Sequence, residues 1–118
     1  MPLNGRNAVS LIDEQHAFLM DVAKLFVRAD ALGYVITGGE LWRTAEQEQW
    51  DVQHGLSKTM QSNHLRRLAI DLNFFKDGNL VAPGDDVAAY WEGLSPLNRW
   101  GGHFTDLNDP SHFERNAP

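Results

Sequence analysis

From Leu68 to Phe75 the chain alternates strictly. Leu68, Ile70, Leu72 and Phe74 take one face and Ala69, Asp71 and Asn73 the other. A period of two over this length reads as a half-buried strand. The apolar set commits one face to a core. Asp71 falls on the opposite face, so its carboxylate is not core filler. It points at a second surface, where a lone carboxylate on a strand needs a partner.

The segments around this strand supply what must pack on it. Leu11, Phe18, Val22, Leu25, Ala29 and Leu32 recur at helical spacing, so Ser10 to Leu32 reads as an amphipathic helix. Ser10 is its N-cap, Asp13 stands at the third helical position as in a capping box, and Gly33 occupies the C′ position. Tyr34 to Thr37 is β-branched and aromatic and reads as a strand broken by Gly38-Gly39. A second helix opens at Thr44, with Gln47 completing its capping box, and ends at Gly55. Leu56 to Asn63 reads as a polar loop. Asp77-Gly78 is a hairpin turn into Leu80-Val81, and Asp85 or Asp86 caps a helix through Val87, Tyr90, Trp91 and Leu94. Trp100 to Phe104 and Ser111 to Glu114 read as short strands around a loop containing Pro110. Helices first and mostly sheet after predict an α+β fold, with N-terminal helices packed on a central antiparallel sheet. With 118 residues and no linker, repeat or low-complexity tract, residues 1–118 are expected to form one domain. The four tryptophans read as core anchors, with Trp42 and Trp100 also placed to wall a cleft.

Composition removes several function classes. The absence of cysteine excludes disulfides, thiolate metal sites and cysteine nucleophiles. Ten Lys and Arg against sixteen Asp and Glu give a net charge of −6, and the one basic cluster, Arg66-Arg67, is too small for a nucleic-acid face. No G-x-S-x-G elbow supports a serine hydrolase. No apolar run reaches the ~18–20 residues of a membrane span, and the N-terminal segment lacks the pattern of a signal peptide. The expectation is therefore cytoplasmic synthesis, no nucleic-acid partner, no membrane insertion and a monomer.

Five histidines remain as chemical candidates, and two of them stand near carboxylates. His64 lies seven residues before Asp71, and His112 lies in Asp109-Pro110-Ser111-His112-Phe113-Glu114. Two imidazoles and one carboxylate form a hydrolytic zinc site with an open fourth position. Zinc lowers the pKa of bound water from 15.7 to about 7. Asp109, three residues before His112 across a proline-containing turn, is the candidate base. Arg43, between the Gly38-Gly39 bend and the second helix, is the candidate cation for a developing oxyanion. Ser62, two residues before His64, offers a hydroxyl to substrate backbone. Each residue also has a plain reading. His64 is a satisfied histidine, Asp71 an edge-strand charge, Asp109 a turn start, Arg43 a partner of Glu46 or Glu48, and Ser62-Asn63 a strand initiator. His16 and His54 read as helix-surface residues. Asp71, Asn73, Asp77 and Asn79 do not make a calcium loop, because Phe75 stands where an oxygen ligand is needed.

Three motifs in order resemble one known family. Ser62-Asn63-His64 with Ala69-Ile70-Asp71-Leu72 is similar to the S-x-H-x6-D signature of the zinc D-Ala-D-Ala carboxypeptidases, which include D,D-dipeptidases and phage L-alanyl-D-glutamate endolysins. Trp100-Gly101-Gly102-His103-Phe104 and Asp109 to Glu114 resemble its second signature. Gly39 to Thr44 resembles its arginine segment. The resemblance runs from about Tyr34 to Glu114. It implies Zn²⁺ held by His64, Asp71 and His112, with Asp109 as general base. It implies Arg43 as stabiliser of the tetrahedral intermediate or binder of a substrate carboxylate. Glu114 is either the residue that orients a ligand imidazole or an ion-pair partner of Arg115. The fold implied is the small α+β architecture shared with the Hedgehog amino-terminal domain. The substrate the resemblance implies is a peptidoglycan stem peptide, with L-Ala–D-Glu cleavage favoured over D-Ala–D-Ala cleavage. A non-catalytic wall-binding or phage structural module on the same fold is the alternative. The expected setting is phage or prophage lysis, with the protein reaching the wall after membrane disruption. One departure is Arg67, where the family often has glycine. Metal is expected to leave on acidification through roughly pH 5–6, as ligand imidazoles take up protons.

Overall fold

The computed structural model describes residues 10–55 and 62–118; the expected loop lies outside them up to residue 61. Helix α1 spans Leu11–Ala31, and the Ser10 hydroxyl accepts the Asp13 N–H at its start. Gly33 follows with φ +89, the left-handed conformation that ends helices. Strand β1 is Val35–Gly38. Helix α2 is Ala45–Gln53, opened by Thr44, whose hydroxyl accepts the Gln47 N–H. The alternating segment forms β2, Ala69–Lys76, which turns at Asp77-Gly78 into β3, Asn79–Val81. Helix α3 is Asp85–Leu94, β4 is Asn98–Trp100 and β5 is His112–Arg115.

The five strands make one antiparallel sheet in the order β1-β2-β5-β4, with β3 also paired to β2. Strand β2 is its centre. The edge that faces β5 over Ala69 to Asp71 faces β3 over Phe74 to Lys76. Leu68, Leu72 and Phe74 are buried as the alternation requires. Phe18, Val22, Leu25 and Ala29 of α1 and Val87, Ala88 and Trp91 of α3 cover them. Trp91 stands edge-on to Phe18 at 5.9 Å and to Phe113 of β5 at 5.8 Å, so helix and sheet share one aromatic cluster. The other sheet face carries Asp71 and is free of this helical cover.

Four expectations change. The helical layer is α1 with α3; the buried residues of α2 are Glu48 and Asp51, which serve a polar cluster rather than the core. Residues 101–103 form a 3₁₀ turn, not a continued strand. A Cβ on Gly101 would stand 2.1 Å from the Asp109 carbonyl oxygen, so the two backbones touch there and the strand breaks. Trp42 and Trp50 are 51% and 48% exposed and anchor no core, unlike Trp91 and Trp100. Arg43 takes Glu40, Glu48 and Asp51 as carboxylate partners, and Glu46 is not among them.

Candidate metal centre

Asp71 and His112 are directly opposed in the β2–β5 register. Opposed residues in antiparallel strands project to the same face with Cβ atoms ~4.5–5.5 Å apart. The alternation that buries Leu72 therefore also turns Asp71 toward His112. Its Oδ1 lies 3.3 Å from His112 Nδ1.

His64 arrives from the turn before β2. Arg67 N–H bonds the His64 carbonyl at 3.2 Å and Leu68 N–H the Asn63 carbonyl at 2.9 Å. This is the bond pair that closes a helical turn on a left-handed residue, and Arg67 has φ +58. That is the physical reason glycine suits the position. Ser62 Oγ accepts the His64 N–H at 3.2 Å, so the serine first of all fixes the histidine's backbone. The loop after β1 completes the support. Gly39 N–H bonds the Asp71 carbonyl and the Glu40 carbonyl accepts from Asp71 N–H, which carries the β1 edge past Asp71. A Cβ on Gly39 would sit 2.8 Å from that Asp71 oxygen.

The imidazoles are oriented by their second nitrogens. His64 Nδ1 donates to the Leu41 carbonyl at 3.2 Å. That leaves Nε2 as the lone-pair nitrogen. It is fully buried, has no hydrogen-bond partner, and stands 3.2 Å from Asp71 Oδ1. His112 is turned the other way. Its Nε2 is 2.7 Å from Glu114 Oε1, which leaves Nδ1 facing Asp71. Arg99 holds the second Glu114 oxygen through both Nε, at 2.8 Å, and Nη2. Arg115 pairs with Glu14 instead. Three ligand atoms, one from each of His64, Asp71 and His112, lie within 4.8 Å of one another.

This donor set fits a divalent metal. Tetrahedral zinc with ~2.0–2.2 Å bonds sets its ligand atoms roughly 3.4 Å apart. The two imidazole–Asp71 distances, 3.2 and 3.3 Å, already match. An orphaned buried nitrogen is costly without a partner, and a metal ion supplies one. Charge favours a cation as well. Burial opposes ionisation of Asp71, but the hydrogen bond from His112 and the two imidazoles beside it outweigh this and hold its carboxyl well below the usual range. Burial also opposes the cationic form of His112. Its bonds to Asp71 and Glu114 override this and push the imidazole up to about 9. Glu114 is lowered by His112 and Arg99 against the same burial.

The other sequence candidates sit around this centre. The Asp109 N–H bonds the Gly101 carbonyl at 3.0 Å, its carbonyl accepts the His112 N–H at 3.0 Å, and Ser111 Oγ donates to its Oδ1 at 2.9 Å. The acid is thus fixed on the turn that leads into His112. Arg43 N–H bonds the His64 carbonyl at 3.3 Å. Its guanidinium is bonded to Glu40 through Nε and to Glu48 through Nη1 at 2.6 Å, with Asp51 at 3.5 Å. Burial lowers its pKa, yet Glu48 and Glu40 more than compensate and raise it. His16 and His54 are exposed on helices, and His103 is exposed and pairs with Glu92 at 3.0 Å. Arg99 was not legible as part of the site. Only the β4–β5 register, which opposes it to Glu114, brings it there.

Among known proteins, the D-alanyl-D-alanine carboxypeptidase family matches residues 55–115, just over half of the chain, including all three candidate ligands and Asp109. The fold is similar to that of the L-Ala D-Glu endopeptidase ChiX of Serratia marcescens, with a TM-score of 0.63 over 96% of this chain and 94% of that one, at 20% identity. No curated protein matches the chain. Its sequence motifs and the family match agree, and the chain belongs to the D-alanyl-D-alanine carboxypeptidase family of peptidases.

Proposed function

We propose that this protein is a zinc-dependent peptidase that hydrolyses a peptide bond in the stem peptides of bacterial peptidoglycan, cleaving L-Ala–D-Glu. The observation that carries the reading is the buried, partnerless His64 Nε2 set against Asp71 and His112. Family membership supports peptidase chemistry, and the likeness in fold to an L-Ala D-Glu endopeptidase supports the choice of bond. The family's own description favours a second reading on the same machinery, D-Ala–D-Ala carboxypeptidase activity. The lysis setting, a phage or prophage enzyme that meets the wall after membrane disruption, follows from the resemblance of the motifs to endolysins.

When bound by His64, Asp71 and His112, zinc supplies a Lewis acid and a water activated at neutral pH. The protein's own groups do the rest. Asp109, with Oδ1 held by Ser111, takes the proton of the attacking water and delivers it to the leaving amine. Arg43 donates to the oxyanion as the carbonyl carbon becomes tetrahedral; the bonds to Glu40 and Glu48 use Nε and Nη1 and leave Nη2 for this. Ser62 keeps its hydroxyl proton for a substrate carbonyl while its oxygen holds His64.

Elemental analysis of the purified protein, together with mass spectrometry of digested muropeptides, tests the proposal. One zinc per chain, chelator-sensitive cleavage and new L-Ala carboxyl termini are expected. Free D-alanine as the sole product transfers the assignment to the second reading. No cleavage of any stem peptide by zinc-loaded protein rejects both.

A further inference from the structure

Arg67 and Trp42 form a pair that the metal centre does not use. The guanidinium carbon of Arg67 stands 4.8 Å from the centroid of the Trp42 ring, within stacking range. Both residues are solvent-exposed. Both are tied to the backbone and ring of one candidate ligand. Trp42 lies between Leu41, whose carbonyl takes the His64 Nδ1 proton, and Arg43, whose N–H bonds the His64 carbonyl. Arg67 N–H bonds that same carbonyl. The pair is therefore exposed and sits on the two segments that hold His64.

Three features make the pair look built for a ligand. A chain of net charge −6 leaves Arg67 with no carboxylate within 4 Å among the described residues, and the segments outside them contain no Asp or Glu. Arg43, by contrast, already has its Nε and Nη1 bonded to Glu40 and Glu48, with Asp51 at 3.5 Å, which leaves it no free fork for a second carboxylate. Arg67 also holds φ +58, which costs a non-glycine residue energy, so a long cation there does not serve stability. Stacking fixes the guanidinium while leaving N–H donors for the fork-to-fork geometry that suits a carboxylate.

We propose that Arg67, positioned by Trp42, binds a carboxylate of the substrate on the leaving-amine side of the scissile bond. This rests on the peptidase reading above and names what the site selects. The amine-side residue of either candidate bond, D-Glu or a terminal D-Ala, carries a free carboxylate, so the assignment does not depend on which is cut. Trp42 is a positioning residue. Its ring supports the guanidinium at 4.8 Å.

The test compares each stem peptide with its amide, so that only the carboxylate changes. The peptides are L-Ala-D-Glu-L-Lys with the D-Glu α-carboxyl free or amidated, and acetyl-L-Lys-D-Ala-D-Ala with its terminus free or amidated. Zinc-loaded wild type, Arg67→Gly and Arg67→Lys are assayed for hydrolysis, and calorimetry follows binding of the same peptides to the metal-free proteins. Glycine fits φ +58, so the first variant keeps the turn. For the peptide pair that is cleaved, the wild type is expected to favour the acid over the amide roughly 10- to 100-fold, mainly through KM, as for a charged hydrogen-bonded pair. Arg67→Gly is expected to bring that ratio near one, and Arg67→Lys to restore part of it. Zinc content is expected to stay equal. An acid preference that survives in Arg67→Gly, or its absence in the wild type, overturns the proposal. If binding shows the Arg67-dependent preference while no peptide is cleaved, the carboxylate subsite stands and the peptidase reading falls.

Discussion

Oε1 of Glu114 lies 2.7 Å from Nε2 of His112, and it is this bond that turns Nδ1 of the imidazole toward Asp71. A carboxylate behind a ligand histidine fixes the ring and raises its basicity, and its loss typically costs 10- to 100-fold in metal affinity. Glu114→Ala is therefore expected to weaken zinc binding by that factor in a competition titration against a chromophoric chelator. Arg99→Ala is expected to act in the same direction and more weakly, because half of its side chain is exposed. Unchanged affinity in Glu114→Ala would show that the histidine is fixed by something else.

On the proposed reading, Asp109 serves proton transfer and not metal binding. Its main chain leads into His112, but its side chain is bonded to Ser111 rather than to the ligands. Asp109→Asn is expected to keep full zinc content and to lose about 10²–10⁴-fold in kcat, the range for general-base assistance. Elemental analysis alongside a muropeptide assay reads both. Equal rates in mutant and wild type would remove the base assignment.

How much of this was legible in the sequence depended on how local the cause was. Alternation marked β2, and hydroxyl caps marked the starts of α1 and α2, because those signals sit within a few residues of their effect. The motif spacings brought out His64, Asp71 and His112 before any geometry was known. What the sequence concealed was set by partners far along the chain. The turn at Gly101 exists because the Asp109 carbonyl packs on it. Arg99 joins the site only through the β4–β5 register. Trp42 reads as a core anchor until it is seen to carry Arg67. Glu48 is buried without joining any apolar layer because Arg43 draws it inward.

Gly101 makes a prediction of its own. Its missing Cβ lets the Asp109 carbonyl approach, and the same Cβ would lie 2.8 Å from that of His112. Backbone cannot yield there as a flexible side chain would. Gly101→Ala is expected to cost on the order of 2–4 kcal/mol, as an overpacked or strained core site does. It is also expected to lower zinc affinity by shifting His112. Gly93, which has nothing near its added Cβ, serves as the control. Gly93→Ala falls in the last turn of α3 and is expected to stabilise by less than about 1 kcal/mol. Chemical denaturation of both variants gives the comparison, and equal stability in the two would rule out the close approach.

The ionisation of the ligands sets a pH dependence whose direction changes with metal. In the metal-free protein His112 has its pKa pushed up to about 9 from 6.5, so the folded state holds its proton more tightly than the unfolded chain. That contribution is fully present below pH 6.5 and disappears as the pH rises through about 9. Asp71 and Glu114 are lowered from 3.8 and 4.5, so their contributions are present above those values and are lost as the pH falls below them. Metal-free protein is expected to be most stable between about pH 5 and 6.5, with the melting temperature falling on both sides. On the proposed reading zinc takes the place of the His112 proton, so the alkaline fall is expected to disappear on loading. The same proton makes apparent zinc affinity drop by roughly tenfold per pH unit below about 9, which starts the competition well above the pH 5–6 that an unperturbed imidazole implies. Thermal denaturation from pH 4 to 10, with and without zinc, measures both limbs, and an alkaline limb of equal depth in the two forms would show that His112 is not a ligand.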